Sequence, residues 1–214
     1  IRNVEVKMSK KVAIVSDTNC GITLDEAKEL GIYLITMPFT VDGEENFEYK
    51  TMNHAQFFEK LRAGAEVSTS MPSPADLMDL WDRLLEEYDE VVHIPMSSGL
   101  SGSCQAAMGF AAEYDGKVEV VDNKRISVIM KQSILEARYM TQKGICAKEI
   151  KEYLEKDALN ASIYVAVDTL EYLKKSGRVT AAGAAIGSVL SIKPVLQIQG
   201  GKLDAYKKVR GMNQ

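Results

Sequence analysis

Two hydroxyl-rich segments carry the residue types best suited to chemistry. Residues 95–103 read Pro-Met-Ser-Ser-Gly-Leu-Ser-Gly-Ser. The apolar run Val91-Val92-His93-Ile94 before them reads as a buried strand, and residues 104–114 after them, rich in Ala and Met, read as a helix. In an open α/β sheet, a loop that leaves a strand end and enters a helix is where ligands bind. Its glycines allow close backbone approach. The helix start offers unpaired N–H groups and a partial positive charge to an anion. Neutral hydroxyls add donors without adding charge. The same residue types also turn a chain and cap its helix with no ligand at all, and this loop alone does not choose between the two. The second segment, Ser68-Thr69-Ser70-Met71-Pro72-Ser73, likewise stands between an apolar stretch and a helix.

Other anion chemistries need patterns that are missing. No Gly-x-x-x-x-Gly-Lys-(Ser/Thr) phosphate loop occurs, and no Gly-x-Gly-x-x-Gly opens a helix after a strand. The nucleophile elbow Gly-x-Ser-x-Gly is absent from residues 97–103. A serine nucleophile would need His54 or His93 as its base. His93 sits inside an apolar strand and reads as a core histidine; His54 falls near an exposed helix start. A serine-dependent hydrolase or a phosphate-ligand enzyme built on the Ser/Gly loop stays the alternative reading. His93, His54 and the widely spaced Cys20, Cys104 and Cys146 form no metal-binding or redox pattern, so neither a metal nor another cofactor is expected.

The 214-residue chain is long enough for one large domain or two modest ones. Its net charge of −4 argues against broad nucleic-acid binding. Unpaired cysteine spacing points to a reducing, cytoplasmic compartment. No apolar run is long enough to span a bilayer, and residues 1–11 lack the apolar core of a signal peptide.

The elements that must position the two segments follow from periodicity and caps. Val12-Ala13-Ile14-Val15 reads as a fully buried strand that delivers Asp17 to its end. Thr23 and Glu26 open a helix that Gly31 closes. Residues 32–38 read as a strand. Asp42-Gly43 then marks a turn in a small β insertion at about 36–52. Asn53 caps a helix bearing Phe57, Phe58 and Leu61. Ser73-Pro74 starts a helix with core positions Leu77, Leu80, Trp81, Leu84, Leu85 and Tyr88. Residues 118–123 read as a strand, 127–142 and 147–159 as helices. Strands alternating with helices indicate an α/β fold with a doubly wound, mostly parallel sheet over residues 8–159. After Asn160 the pattern changes. A strand at 163–167, a helix ending at Gly177, an Ala/Gly-rich helix at 180–190 and a hairpin around Gly200-Gly201 indicate a second, smaller α+β domain at 160–214.

The ordered set of motifs resembles the DegV family of bacterial fatty-acid-binding proteins, from about Lys11 to Arg210. Ser68–Ser73 matches the family's Ser-Thr-Ser-x-Pro-Ser, and Ser97–Ser103 matches its Ser-Ser-x-Leu-Ser-Gly-(Thr/Ser). Asp17-Thr18, the strand ending in Asp122, the segment Leu170–Arg178, Lys193-Pro194 and Lys208-Val209-Arg210 match in order. Asn123 departs slightly. The family usually continues beyond the last strand, so the second domain is expected to be truncated relative to it. The resemblance implies a carrier and not an enzyme. A long-chain fatty acid would lie between two domains, its carboxylate held by Thr69, Ser70, Ser97 and Ser98. Asp17, Ser101, Gly102, Arg178 and Arg210 would be further ligand or partner contacts. The resemblance also implies a separate fatty acid kinase as partner, and is compatible with transient contact with a membrane surface. The excess of Ala, Gly and Met at 104–112 and 181–190 suits either a lining for the acyl tail or tight helix packing, and packing at least as well for any single residue.

Overall fold

The computed structural model describes residues 10–186 and 193–209. The central sheet grows from β1, Val12–Asp17, buried along its whole length. The chain turns through Gly21, which sits at φ +73° as a left-handed cap, into α1, Leu24–Leu30, whose Thr23 cap accepts the Glu26 N–H. It returns as β2, Tyr33–Ile35, parallel to β1. The strand expected over 32–38 is split, because Thr36 and Met37 leave the sheet and β3, Pro38–Val41, starts a different one.

That second sheet is antiparallel. Asp42-Gly43 turns β3 into β4, Glu44–Phe47. Asn53 and Gln56 form a reciprocal cap on α2, His54–Arg62. The chain then supplies a third strand, β5, Val67–Thr69, which pairs with β3 through Phe39↔Thr69 and Val41↔Val67. The local pattern shows the hairpin alone. The pairing of β5 is non-local and carries the Ser/Thr segment onto the sheet, so Thr69 ends a strand instead of starting a helix.

Ser73 accepts the Asp76 N–H and Pro74 opens α3, Pro74–Leu85. The central sheet resumes with β6, Glu90–Ile94, and the Ser/Gly loop leads to α4, Ser103–Ala111. After β7, Val118–Val120, come α5, Ser127–Gln142, and α6, Ala147–Lys156. The order β2-β1-β6-β7 is parallel throughout. Alternation along the strands splits the core in two. Val12, Ile14, Val92 and Ile94 face α5 and α6 through Met130, Ile134, Ile150 and Leu154. Ala13, Val15 and Val91 face α3 and α4 through Leu77, Trp81, Cys104 and Ala107. His93 falls on this second face, its ring edge-on to Trp81 with centroids 5.5 Å apart.

The third sheet is formed by β8, Ile163–Ala166, followed by α7, Glu171–Ser176, α8, Ala181–Ile186, and then β9, Lys193–Ile198, and β10, Asp204–Val209. Its order is β10-β9-β8 and both pairings are antiparallel. Leu196, Ile198, Leu203 and Leu170 bury against Leu100 of the Ser/Gly loop, which joins this sheet to the central one. No helix of the described residues is long and apolar enough to cross a membrane.

Two expected outcomes follow. A Cβ built on Gly99 would lie 2.6 Å from the Gly201 Cα and 2.8 Å from its carbonyl carbon, whereas one on Gly102 meets nothing within 4 Å. Backbone cannot rotate out of the way, so Gly99→Ala should cost about 1–3 kcal/mol in urea unfolding. Gly102→Ala should cost under about 1 kcal/mol.

Full burial pushes the His93 pKa down from 6.5 to about 3. Below pH 6.5 the unfolded chain therefore takes up a proton that the folded chain refuses, and stability falls as pH falls through that window. The His93 contribution between pH 7 and pH 5 is about 2 kcal/mol. Unfolding free energies of wild type and His93→Leu at the two pH values should differ by that amount in their pH dependence. Asp17, whose pKa burial raises, acts with the opposite sign but is present in both proteins.

Candidate functional site

β1 and β6 are neighbours from which the chain departs in opposite directions, β1 to β2 on one side and β6 to β7 on the other. That is the switch point of the sheet, where a crevice opens beyond the carboxyl ends. Asp17 closes its base. Its Oδ2 accepts the Met96 N–H at 2.8 Å, and its Oδ1 accepts both the backbone N–H and the side-chain amide of Asn19 at 2.9 Å. Burial raises the Asp17 carboxyl pKa, and those three N–H donors pull it back toward ionisation.

Above this base lies a cleft of about 820 Å³. Its floor is Asn19, Met96, Leu100, Ser101 and Gly102. One wall comes from the antiparallel sheet and α2, with Met37, Phe39, Phe57, Phe58 and Met71. Phe39 and Phe57 meet edge to face at 5.4 Å, as do Phe57 and Phe58. The opposite wall is Leu173, Arg178, Ile198 and Leu203. The cleft is therefore bounded by all three sheets and is mostly apolar.

Its polar groups gather around Arg178. The left-handed Gly177 at φ +69° ends α7 and turns Arg178 inward. The guanidinium donates to the Ser176 carbonyl at 2.9 Å, the Leu100 carbonyl at 3.4 Å and Thr69 Oγ1 at 3.5 Å. Among the described residues no carboxylate lies within ion-pair distance of Arg178. Ser70 is exposed on the antiparallel-sheet wall with Thr69, its backbone N–H bound to the Pro38 carbonyl at 3.2 Å. Ser101 Oγ accepts the Ser103 N–H at 3.2 Å at the start of α4. A second polar group, His54 with Glu48 at 2.8 Å, also lines the cleft.

The structure thus brings Thr69, Ser70, Ser101, Gly102 and Arg178 to one cleft. Ser97 and Ser98 do not line it. Ser97 is fully buried and its Oγ accepts the Gly99 N–H at 3.1 Å, which shapes the loop from within. Ser98 turns toward the end of β7. Its N–H donates to Asp122 Oδ1 at 3.2 Å, and its Oγ accepts from Lys124 Nζ at 2.6 Å. Burial pushes the Asp122 carboxyl up, but hydrogen bonds from Lys124 and Ser98 outweigh it and leave the pKa below the ordinary value. Asp17 lies beneath the cleft. Arg210 lies outside the described residues.

Of the two readings of the small residues at 104–112, the structure shows helix packing. Cys104, Ala107 and Ala111 of α4 pack into the core against β6 and β7, and none of residues 104–112 or 181–185 lines the cleft; the side chains of residues 186–190 lie outside the described residues. Aromatic and methionine side chains from the insertion line it instead. A signal for them exists in the sequence: Phe57 and Phe58 are adjacent, and adjacent positions cannot both face one helix partner. In the structure α2 has no fully buried residue, and Phe58 remains exposed.

A sequence profile described as uncharacterised protein, DegV family, matches residues 11–214. A DegV domain-containing protein of Deinococcus radiodurans is 32% identical over 204 residues, covering 95% of this chain and 73% of that one. A fatty-acid-binding DegV family protein from Thermus thermophilus superposes with a TM-score of 0.85 at 30% identity, over 94% of this chain and 72% of that one. One from Streptococcus agalactiae, also described as fatty acid binding, gives 0.85 at 28% identity over 95% and 73%. With its sheet order, its paired Ser/Thr segments and a profile match over almost its whole length, this chain belongs to the DegV family.

Proposed function

We propose that this chain is a carrier that binds a long-chain fatty acid in the cleft between the three sheets. The observation that carries the reading is Arg178. It is a half-buried cation without a carboxylate partner among the described residues, beside the Thr69 hydroxyl, in a cleft that is mostly apolar. A guanidinium pairs with a carboxylate through parallel N–H donors. Thr69, Ser70 and Ser101 add hydroxyls, and α4 begins beside them with its partial positive charge. Ser97 and Ser98 contribute by fixing the loop that presents Ser101 and Gly102.

The apolar walls supply affinity. Each buried methylene contributes about 0.8 kcal/mol, so a long tail gains on the order of 10 kcal/mol before ordering and association costs. The volume of about 820 Å³ lies within the roughly 300–1,000 Å³ of small-molecule sites.

A carrier needs a consumer. The acid's carboxyl group would be phosphorylated by a separate fatty acid kinase to which the loaded protein is presented. Support for carriage over hydrolysis comes from Ser98. Its neighbour Lys124 donates to both the Ser98 hydroxyl and Asp122, and a donor in that arrangement does not withdraw the serine proton. His93 lies on the α3/α4 face of the sheet against Trp81.

Displacement of a fluorescent fatty acid should show one-to-one binding of long-chain acids by delipidated protein. Thr69→Val combined with Arg178→Met should weaken binding of the free acid at least tenfold, because a hydrogen bond to a charged group contributes roughly 1.5–3 kcal/mol. The methyl ester should respond much less. Ser98→Ala should change affinity by less than about threefold, one hydroxyl hydrogen bond off the cleft wall. A large loss with Ser98→Ala and none with the Thr69/Arg178 pair would move the anion to the second motif. Saturable ester or phosphoester hydrolysis abolished by Ser98→Ala would favour the enzyme.

A further inference from the structure

The cleft has two polar stations, and the proposed function uses one of them. Among the described residues that line it, Arg178 is the one guanidinium and Glu48 the one carboxylate. The Glu48 side chain is 23% exposed, so most of it is out of water. Among the described residues it accepts one hydrogen bond, from His54 Nε2 at 2.8 Å. An ionised carboxylate can accept about four. A charge held out of water and short of partners loses hydration that nothing replaces.

The pair is held by a strained loop. Tyr49 stands at φ +63°, a left-handed conformation that bulky side chains rarely adopt. Its ring lies against His54 with centroids 5.3 Å apart. The Phe47 carbonyl takes the Lys50 and Thr51 N–H groups at 3.1 Å each, and Thr51 Oγ1 takes the Phe47 N–H at 2.9 Å. An ion pair as exposed as His54 adds little to folding, so the pair does not offset the strain. Strain of this kind clusters at ligand sites.

Sheet register sets the distance between the two stations. Pro38 of β3 pairs with Phe47 of β4 on one side, and its carbonyl takes the Ser70 N–H on the other. Neighbouring strands lie about 4.8 Å apart, so Phe47 and Ser70 stand roughly 10 Å from each other across the wall. Phe39 and Phe57 cover the wall between them. His54, Phe57 and Phe58 share one face of α2. An extended chain advances about 1.2 Å per single bond, so a tail leaving Thr69 and Ser70 along these rings comes level with Glu48 after roughly eight bonds.

We propose that Glu48 and His54 form a mid-chain station of the cleft, and that the preferred ligand is a long-chain fatty acid with a hydroxyl near the middle of its chain. The inference rests on the proposed function and names the substrate within it. The hydroxyl donates to Glu48 and takes the place of the water that an unsubstituted tail strips from the carboxylate. A tail without that group lays methylenes against a charge.

The test compares stearic, 2-hydroxystearic and 10-hydroxystearic acids by displacement of a fluorescent fatty acid. It uses wild type, Glu48→Leu and Glu48→Gln, with circular dichroism to confirm folding. Wild type should bind 10-hydroxystearic acid more tightly than stearic acid. Glu48→Leu should lower the ratio of those two affinities at least tenfold, the loss of a hydrogen bond to a charged group. Glu48→Gln keeps an acceptor without the charge and should lower it about threefold, which decides the matter if the leucine variant does not fold. The ratio of 2-hydroxystearic to stearic acid should stay the same in all three proteins, because that hydroxyl lies beside the head group.

A wild type that prefers stearic acid, or a 10-hydroxystearic ratio that neither variant moves, overturns the mid-chain station and leaves fatty acid carriage standing. A 2-hydroxystearic ratio that falls as far as the other overturns the station's position. A wild type that binds none of the three acids overturns the carrier reading and this inference with it.

Discussion

A single buried carboxylate holds the cleft's base together. Asp17 stands where β1 and β6 end side by side, and a parallel sheet provides no hydrogen bond to join the loops that leave its strand ends. Asp17 supplies one, accepting the Met96 N–H with one oxygen while the other fixes Asn19. The two loops that form the cleft floor therefore share one group. Burying a carboxylate is costly unless it is well hydrogen-bonded. Three N–H donors offset part of that cost, burial still leaving the carboxyl pKa raised, and the Met96 N–H among them fixes where residues 96–102 leave the sheet.

The same loop then has to meet a separate sheet. Gly99 and Gly201 approach too closely for any side chain at position 99, and Leu100 enters the core of the third sheet beside Leu196 and Leu203. Arg178 crosses the same junction and bonds the Leu100 carbonyl and Thr69. Backbone contact, apolar burial and a charged side chain thus act within a few residues of one another. The Ser/Gly composition of the loop serves three masters: Ser97 braces it internally, Ser98 ties it to β7 through Asp122 and Lys124, and Ser101 and Gly102 face the cleft.

That division explains what was legible in the sequence. Strand runs such as Val12–Val15 and caps such as Thr23, Asn53 and Ser73 are local devices, and the structure places them as read. The parallel sheet and the final hairpin follow from them. The pairing of β5 with β3 depends on residues far apart in the chain, and no local pattern reveals it. Motif spacing likewise marks the Ser/Gly loop but not the direction of each hydroxyl. Ser97 and Ser98 are adjacent to the cleft in sequence terms and turn away from it in space, because Gly99 N–H and Lys124 claim them. Small residues on α4 pack against the strands, where Cys104, Ala107 and Ala111 join the core with Val91, Val118 and Val120.

The two walls of the cleft differ in kind, and the difference bears on how a carrier works. The Arg178 side rests on α7 and the third sheet, where Leu196 is fully buried and Leu170 and Leu203 nearly so. The aromatic side rests on a three-stranded sheet and on α2, none of whose residues is fully buried. Local opening costs least where the fewest apolar contacts are lost. In the proposed function the guanidinium of the anion seat is therefore held by the better-packed wall, while Thr69, Ser70 and the aromatic lining for the tail belong to the one with less to lose. Affinity that grows by methylenes against methionine and phenylalanine is tolerant of exact fit. An anion seat of one guanidinium and a few hydroxyls demands a defined geometry, and it is set where the sheets meet.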